Sequence, residues 1–576
     1  MTNDLGVFRT QLGKDIFLQK YAHDGCETWE SLSRVLVEDV CGDNITQEEK
    51  EELIKYHSEM KFIAGGRYLY YAGRPNKYFN NCYLLRSEED SREDWANLSW
   101  KAESCLMTGG GIGNDYSVYR ASGLKINKTG GLASGPIPKM KMINEIGRNV
   151  MQGGSRRSAI YASLNWRHGD IAEFLHCKDW YNMPVSGAYD SAGKNLTVGD
   201  LREADFNYPA PLDMTNISVN YDNKFLETIY DLPIVRVKEE LSKGNKLEIV
   251  NLPSTYVDNV RQALKSAEPG FSFNFFDKEN ETLRNACTEV TSEDDSDVCN
   301  LASLNFSRIE SIEELSRITY LVGKFLLCGT LRAKMPYKKI EDTRAKNRRL
   351  GLGLMGLHEW LLVRGYKYEV TPELHSWLEV YKEQSEIGAK ELASYLDLST
   401  PVAFRAIAPT GTIGILAGTT TGIEPLFAVA YKRRYLKGSN KWNYQFVIDG
   451  TAKLLIDKFG VSPDNIESAL DLAKDPERRI KFQADVQDYV DMSISSTINL
   501  PEWGTEWNNE KKVKEFAKTL AEYAHRLRGF TCYPDGARGG QPLIKESYKV
   551  AKSLEGQVFE EFVDVCDLTG GGTCGM

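Results

Sequence analysis

Apolar runs bounded by polar residues alternate along the chain with glycine-rich polar turns, and no run approaches the roughly 20 apolar residues of a membrane span. Residues 1 to about 75 read as helical. Thr28-Trp29-Glu30-Ser31-Leu32 and Thr46-Gln47-Glu48-Glu49-Lys50 each set a threonine cap ahead of acidic residues in a first turn. That segment ends at the break Ala72-Gly73-Arg74-Pro75. Tyr78-Phe79-Asn80-Asn81-Cys82-Tyr83-Leu84-Leu85 follows as a strand-like run. Between residues 178 and 214, Asp190-Ser191-Ala192-Gly193 and Tyr208-Pro209-Ala210-Pro211 predict an irregular excursion with a hairpin. Residues 406 to 427 predict an apolar approach, a turn at Pro409-Thr410-Gly411-Thr412-Ile413, and a Gly/Thr-rich segment.

The stretch from Asn285 to Asn305 carries the densest chemistry. Asn285, Cys287 and Glu289 place an amide, a thiol and a carboxylate at alternating positions, and Cys299 follows. On an extended segment those three heads face one side. The plainer reading is a short strand with two buried cysteines, since Cys is among the most buried residue types.

Composition narrows the class. The chain has 576 residues, long enough for a large core and for two to four domains, and is 41% hydrophobic and 26% charged, as soluble globular proteins are. A net charge of -10 argues against a nucleic-acid surface as its main business. Met1 to Gly13 has no signal-peptide core. Eleven cysteines without such a signal point to a reducing cytoplasm, where any disulfide is transient and catalytic. Cys26 and Cys41 read as packing residues. No Cys-x-x-Cys pair exists, His358-Glu359 lacks a second His, and a Walker loop is absent, so no metal site is expected. Gly351-Leu352-Gly353-Leu354-Met355-Gly356 matches the dinucleotide fingerprint, but charged Lys346-Asn347-Arg348-Arg349 stands where the buried strand should be.

Taken together these motifs resemble the ribonucleotide reductases. The family pattern Asn-Pro-Cys-Gly-Glu, followed by Cys-Asn-Leu, matches Asn285 to Glu289 and Cys299-Asn300-Leu301, with Ala286 in place of the Pro and Thr288 in place of the Gly. Asn80-Asn81-Cys82, Gly109-Gly110-Gly111-Ile112-Gly113, Gln152-Gly153-Gly154-Ser155-Arg156-Arg157-Ser158, Asn347-Arg348-Arg349-Leu350-Gly351 and Ala408-Pro409-Thr410-Gly411-Thr412-Ile413 occur in the family's order. The match runs from about residue 60 to a Gly-rich tail holding Cys566 and Cys574.

The resemblance implies an α/β fold with a ten-stranded barrel, a helical segment over residues 1–75, a barrel over 76–545 and a C-terminal segment over 546–576. It implies ribonucleotide reduction in which Cys287 carries a thiyl radical that takes the 3'-hydrogen. Glu289 would be the general base on the 3'-hydroxyl and Asn285 would orient the substrate. Cys82 and Cys299 would supply two electrons by forming a disulfide, and Cys566 and Cys574 would reset that pair from a tail that is flexible by composition. Asn81, Gly110, Gly111 and Pro409, Thr410, Gly411, Thr412, Ile413 would bind substrate, the latter group its phosphates. Lys128, Gly130 and Gly131, with Gly153, Gly154, Arg156 and Arg157, would form two loops that bind an effector nucleotide, a deoxynucleotide or ATP, and relay its identity.

Adenosylcobalamin is the expected radical source, because Cys532-Tyr533 stands where class I catalytic subunits carry two adjacent tyrosines. The remaining expectations are a homodimer, a thioredoxin- or glutaredoxin-like reductant, neither nucleic acid nor membrane as partner, and no room for an N-terminal ATP-binding module. The alternatives are a class I catalytic subunit served by a separate metal-containing subunit, a nucleotide-binding dehydrogenase built on Gly351 to Gly356, and a non-enzymatic nucleotide sensor.

Overall fold

Five parallel strands form the first half of the molecule: β1 (Cys82–Arg86), β2 (Gly111–Asp115), β3 (Ile160–Asn165), β4 (Thr215–Tyr221) and β5 (Gly270–Phe273). The second half holds β6 (Asp297–Asn305), β7 (Leu350–Met355), β8 (Thr497–Leu500) and β9 (Gly529–Pro534), with β6 parallel to β7 and β8 parallel to β9. Residues 403–408 fill the place between β7 and β8, bridging Arg405 to Leu352 and Ile407 to Ile494 in parallel. The halves meet antiparallel at β6 with β1 and at β9 with β5, so ten chain segments close a ring. The computed structural model describes residues 5–127, 130–150, 158–205, 208–437, 441–537 and 543–561.

The strand residues sort by face. In β3 to β5, Ile160, Ala162, Ile217, Val219, Phe271 and Phe273 pack outward into a buried apolar layer beneath the helices. The intervening residues Tyr161, Ser163, Asn216, Ser218 and Ser272 take the opposite face, as strand alternation requires, and line a polar lumen. A smaller apolar cluster, with Cys82, Leu84, Leu283, Val290, Cys299, Ala406 and Met492, fills part of that lumen.

The N-terminal helices form as the caps predict. Thr28 accepts from the Ser31 amide at the start of Trp29–Cys41, and Thr46 accepts from the Glu49 amide at the start of Gln47–Ser58. Phe62–Ala64 pairs antiparallel with β6, which ties this segment to the barrel. Cys26 and Cys41 are buried in its core, as expected. The excursion carries the hairpin Pro184–Tyr189 with Asn195–Thr197. A four-stranded antiparallel sheet, built from Ala430–Lys437, Lys441–Ile448, Leu543–Lys545 and Val558–Glu561, joins residues after 546 to the rest of the chain. Gly351 and Gly353 lie inside β7, and the fingerprint is no nucleotide loop.

One glycine reports how tightly the lumen is filled. A Cβ on Gly113 of β2 would stand 1.6 Å from the carbonyl oxygen of Arg284. Gly113→Ala is therefore expected to cost at least about 3 kcal/mol, the upper end of overpacking penalties, read as a lowered denaturant midpoint.

Candidate active site

A short hairpin, Leu283–Arg284 against Thr291–Ser292, enters the lumen and carries residues 285–290 at its tip. Its base is fixed by buried ionic groups. The fully buried Arg284 donates to the carbonyls of Leu283 (3.0 Å), Phe273 (3.4 Å) and Arg528 (3.2 Å), to Asn274 Oδ1 at 2.6 Å, and to the carbonyl of Glu281. It thereby ties the hairpin to the end of β5 and to the residue ahead of β9. Glu281 accepts from Thr291 Oγ1 at 2.8 Å and from Arg528 at 2.9 Å, and the neighbouring arginines hold its carboxyl well below the usual range against burial, which acts the other way. Asp297, two residues before Cys299, accepts from Arg349 (2.6 Å), Asn347 (2.9 Å) and Ser292 (2.7 Å). Asn347 and Arg349 thus anchor β6 and the hairpin.

The tip is a turn, which corrects the extended segment expected from the alternation. The Thr288 amide donates to the Asn285 carbonyl at 2.9 Å, and Thr288 has φ 71°. Asn285 and Glu289 come together because the chain reverses. Cys287 is exposed at the tip, while Asn285 and Glu289 are buried. Asn285 Nδ2 donates to Cys82 Sγ at 2.9 Å, and its Oδ1 accepts from the Val290 amide at 3.0 Å. Asn216 Nδ2 donates to the Ala286 carbonyl at 3.0 Å, and the Ser493 amide to the Glu289 carbonyl at 2.9 Å.

Cys82 and Cys299 are directly opposed in the β1/β6 register. Residues so opposed have Cα atoms about 4.5–5.5 Å apart, inside the span a disulfide needs. Both are unbridged, and burial raises both thiols well above their ordinary value, so both hold their protons. Cys82 Sγ lies 4.0 Å from Glu289 Oε1. Burial pushes the Glu289 carboxyl up to about 7, although Asn285 hydrogen-bonds to it, and Glu289 Oε2 has no partner among the described residues. The arrangement offers one exposed thiol, two protonated thiols set to close, and a carboxyl poised between its two states.

The other expected residues divide. Asn81, Gly110 and Gly111 lie at the start of β1 and β2, and the Gly111 amide donates to the Asn81 carbonyl at 2.9 Å. Pro409, Thr410, Gly411, Thr412 and Ile413 follow the 403–408 segment, which runs parallel to β7 and antiparallel to β1 by way of β6. The two groups therefore open at the same end of the barrel. Thr410 Oγ1 accepts from the Gly422 amide at 2.8 Å, and the space above the Gly411 Cα is open. Gly130 and Gly131 sit in an exposed turn ahead of helix Pro136–Asn149. Lys128, Gly153, Gly154, Arg156, Arg157, Cys566 and Cys574 lie outside the described residues. The hairpin's anchors Arg284, Asn216 and Ser493 carry no motif that would have singled them out.

A model of the ribonucleotide reductase barrel domain matches residues 80–376 and 402–533. The chain belongs to the ribonucleotide reductase family. It is 25% identical over 556 residues to the vitamin B12-dependent ribonucleoside-diphosphate reductase of Mycobacterium tuberculosis, covering 88% of this chain and 73% of that reductase. The protein of the same description from Thermoplasma acidophilum is 26% identical over 564 residues, covering 87% and 67%. A putative adenosylcobalamin-dependent ribonucleoside-triphosphate reductase of Mycobacterium phage D29 is 25% identical over 535 residues, covering 78% and 70%. Among solved structures, the class Id ribonucleotide reductase alpha subunit of Actinobacillus ureae superposes with a TM-score of 0.67 at 14% identity, over 92% of this chain and 97% of that one. That likeness bears on the fold, and the expected α/β barrel is the reductase barrel. Among the described residues no helix is long and apolar enough to cross a membrane.

Proposed function

We propose that this chain reduces ribonucleotides to 2'-deoxyribonucleotides and that adenosylcobalamin is its radical source. The reading rests most on Cys82 standing opposite Cys299 beside Glu289, at a lumen to which Cys287 is exposed. With a thiyl on Cys287, the 3'-hydrogen of the ribose is abstracted and Cys287 returns to a thiol. Glu289 takes the 3'-hydroxyl proton. The 2'-hydroxyl leaves as water with a proton, and Cys82 and Cys299 give up two electrons and a hydrogen to C2' as their sulfurs bond. Cys287 returns its hydrogen to C3', which restores the thiyl. Protonated thiols suit that step, because each carries the hydrogen that the reduction consumes. Asn285 contributes by holding Cys82 and closing the turn under Cys287.

Adenosylcobalamin, when bound, supplies the unpaired electron that Cys287 takes on. Gly270, Gly529 and Thr531 stand on the inward face of β5 and β9, where a Cβ on Gly270 would lie 2.9 Å from Ser218 Oγ. Cys532 points out of the barrel into the apolar layer, its Sγ 3.5 Å from the Ala263 carbonyl, so Tyr533 has no tyrosine beside it in the chain through which a radical could arrive. The relatives named for vitamin B12 favour the same source. Purified chain given adenosylcobalamin, a dithiol and a ribonucleotide should form deoxynucleotide. Inactivity there, rescued by a metal-loaded second subunit, would assign it to class I.

The accessory roles belong to the same reading. Helices Arg92–Met107 and Pro136–Asn149 present Trp100, Met107 and Met142, each more than half exposed, as a face that suits a second copy of the chain. The glycine-rich loops around Gly130 and Arg156 would bind the effector nucleotide near it. Cys566 and Cys574 would pass electrons from a thioredoxin-like protein to the barrel pair. Replacing both by Ser should leave a pre-reduced enzyme that makes about one product per site and then stalls with thioredoxin. Undiminished steady-state turnover would remove the shuttle.

A further inference from the structure

Thr288 combines three features that packing alone does not explain. It is a β-branched residue at φ 71°, a region that such side chains avoid. The strain is imposed by its neighbours: the Thr288 and Val290 amides, the Ala286 and Glu289 carbonyls and the Asn285 side chain are all engaged. Its hydroxyl gains nothing visible in return, because no hydrogen bond of Thr288 Oγ1 exists among the described residues. The side chain is half-buried and stands over Gly529 of β9, where an added Cβ would sit 3.7 Å from Thr288 Oγ1.

A strained residue with an unpartnered hydroxyl, lying between the exposed Cys287 and the buried Glu289, has the form of a ligand contact. Gly529 lets β9 pass close to that hydroxyl, an added Cβ standing 3.0 Å from Ser493 Oγ, which is itself unpartnered and buried. Cys287 is exposed and Thr288 partly so, and a molecule bound against Cys287 meets both.

We propose that Thr288 is a further substrate-binding residue, whose hydroxyl hydrogen-bonds a ribose hydroxyl of the nucleotide held against Cys287. The proposal rests on the ribonucleotide-reductase reading of the site. A single neutral hydrogen bond of this kind changes affinity by roughly 2- to 13-fold.

The test compares Thr288→Val, Thr288→Ser and Thr288→Gly in the full chain, by equilibrium binding of a ribonucleotide without the radical source, by KM and kcat, and by thermal melting. Val keeps the branched shape and the strain and loses only the hydroxyl. It should weaken binding and raise KM about 5-fold, with an unchanged melting temperature. Ser keeps the hydroxyl and should bind as the parent does. Gly should bind as weakly as Val while melting no lower than the parent. Equal binding by Val and Ser would overturn the proposal, as would weakened binding that follows a lowered melting temperature. If the unaltered chain itself bound no ribonucleotide, the reading of the site would fail instead, before any comparison among variants.

Discussion

Cys287→Ser should reduce deoxynucleotide formation by more than about 10³-fold while leaving the melting temperature and ribonucleotide binding unchanged. The substitution exchanges a sulfur for an oxygen at an exposed position on the tip of a turn. The turn is held by the Thr288 and Val290 amides, which donate to Asn285. What disappears is the exposed thiol that would carry the radical, because a serine O–H is too strong to serve as a relay. The measurement is product formation by purified variant beside an equilibrium binding isotherm. Appreciable product would mean that another residue initiates the chemistry.

The second large effect belongs to Glu289. Its carboxyl is raised from an ordinary 4.5 to about 7 by burial, so the ionised base needed for the 3'-hydroxyl is fully present only above that pH. The rate constant kcat/KM should therefore rise through a limb near pH 7. Glu289→Gln should lose that limb and about 10²- to 10⁴-fold of activity.

Stability should move in the opposite sense. A raised carboxyl favours the protonated folded state, so its contribution is whole below pH 4.5 and is lost as the pH rises through about 7. A shift of this size corresponds to about 3 kcal/mol. Glu289→Gln, which cannot ionise, should unfold at a higher denaturant concentration than the parent at pH 8 and at a similar one at pH 4. A variant less stable at both pH values would show that the carboxylate, rather than the acid, suits the site.

How much of this could be read beforehand differs from residue to residue. Thr28 and Thr46 marked helix starts because capping is local and a few residues decide it. Cys82, Cys287 and Cys299 were identified by pattern, and the pairing of Cys82 with Cys299 was implied by the resemblance and not by their spacing. The opposition of Cys82 to Cys299 depends on the register between strands from different halves of the barrel, which no local spacing encodes. The alternation of Asn285, Cys287 and Glu289 suggested a strand, and hydrogen bonds from Asn216 and Ser493, distant in the chain, accompany a turn instead. Arg284 was invisible for the same reason: the carbonyls that accept from it come from three separate segments. The loops around Lys128 and Arg156 and the tail thiols lie outside the described residues.

The antiparallel seam between the two half-barrels has a consequence for how the protein comes into being. Cys82 is synthesised with the first half and Cys299 with the second, and they face one another only across β1 and β6. Pairings between such distant stretches form late in folding, after loop-closure entropy has been overcome. The nascent chain therefore carries each thiol without its partner. Reducing capacity arrives with the completed ring, so a partly made protein has no dithiol in place to close prematurely.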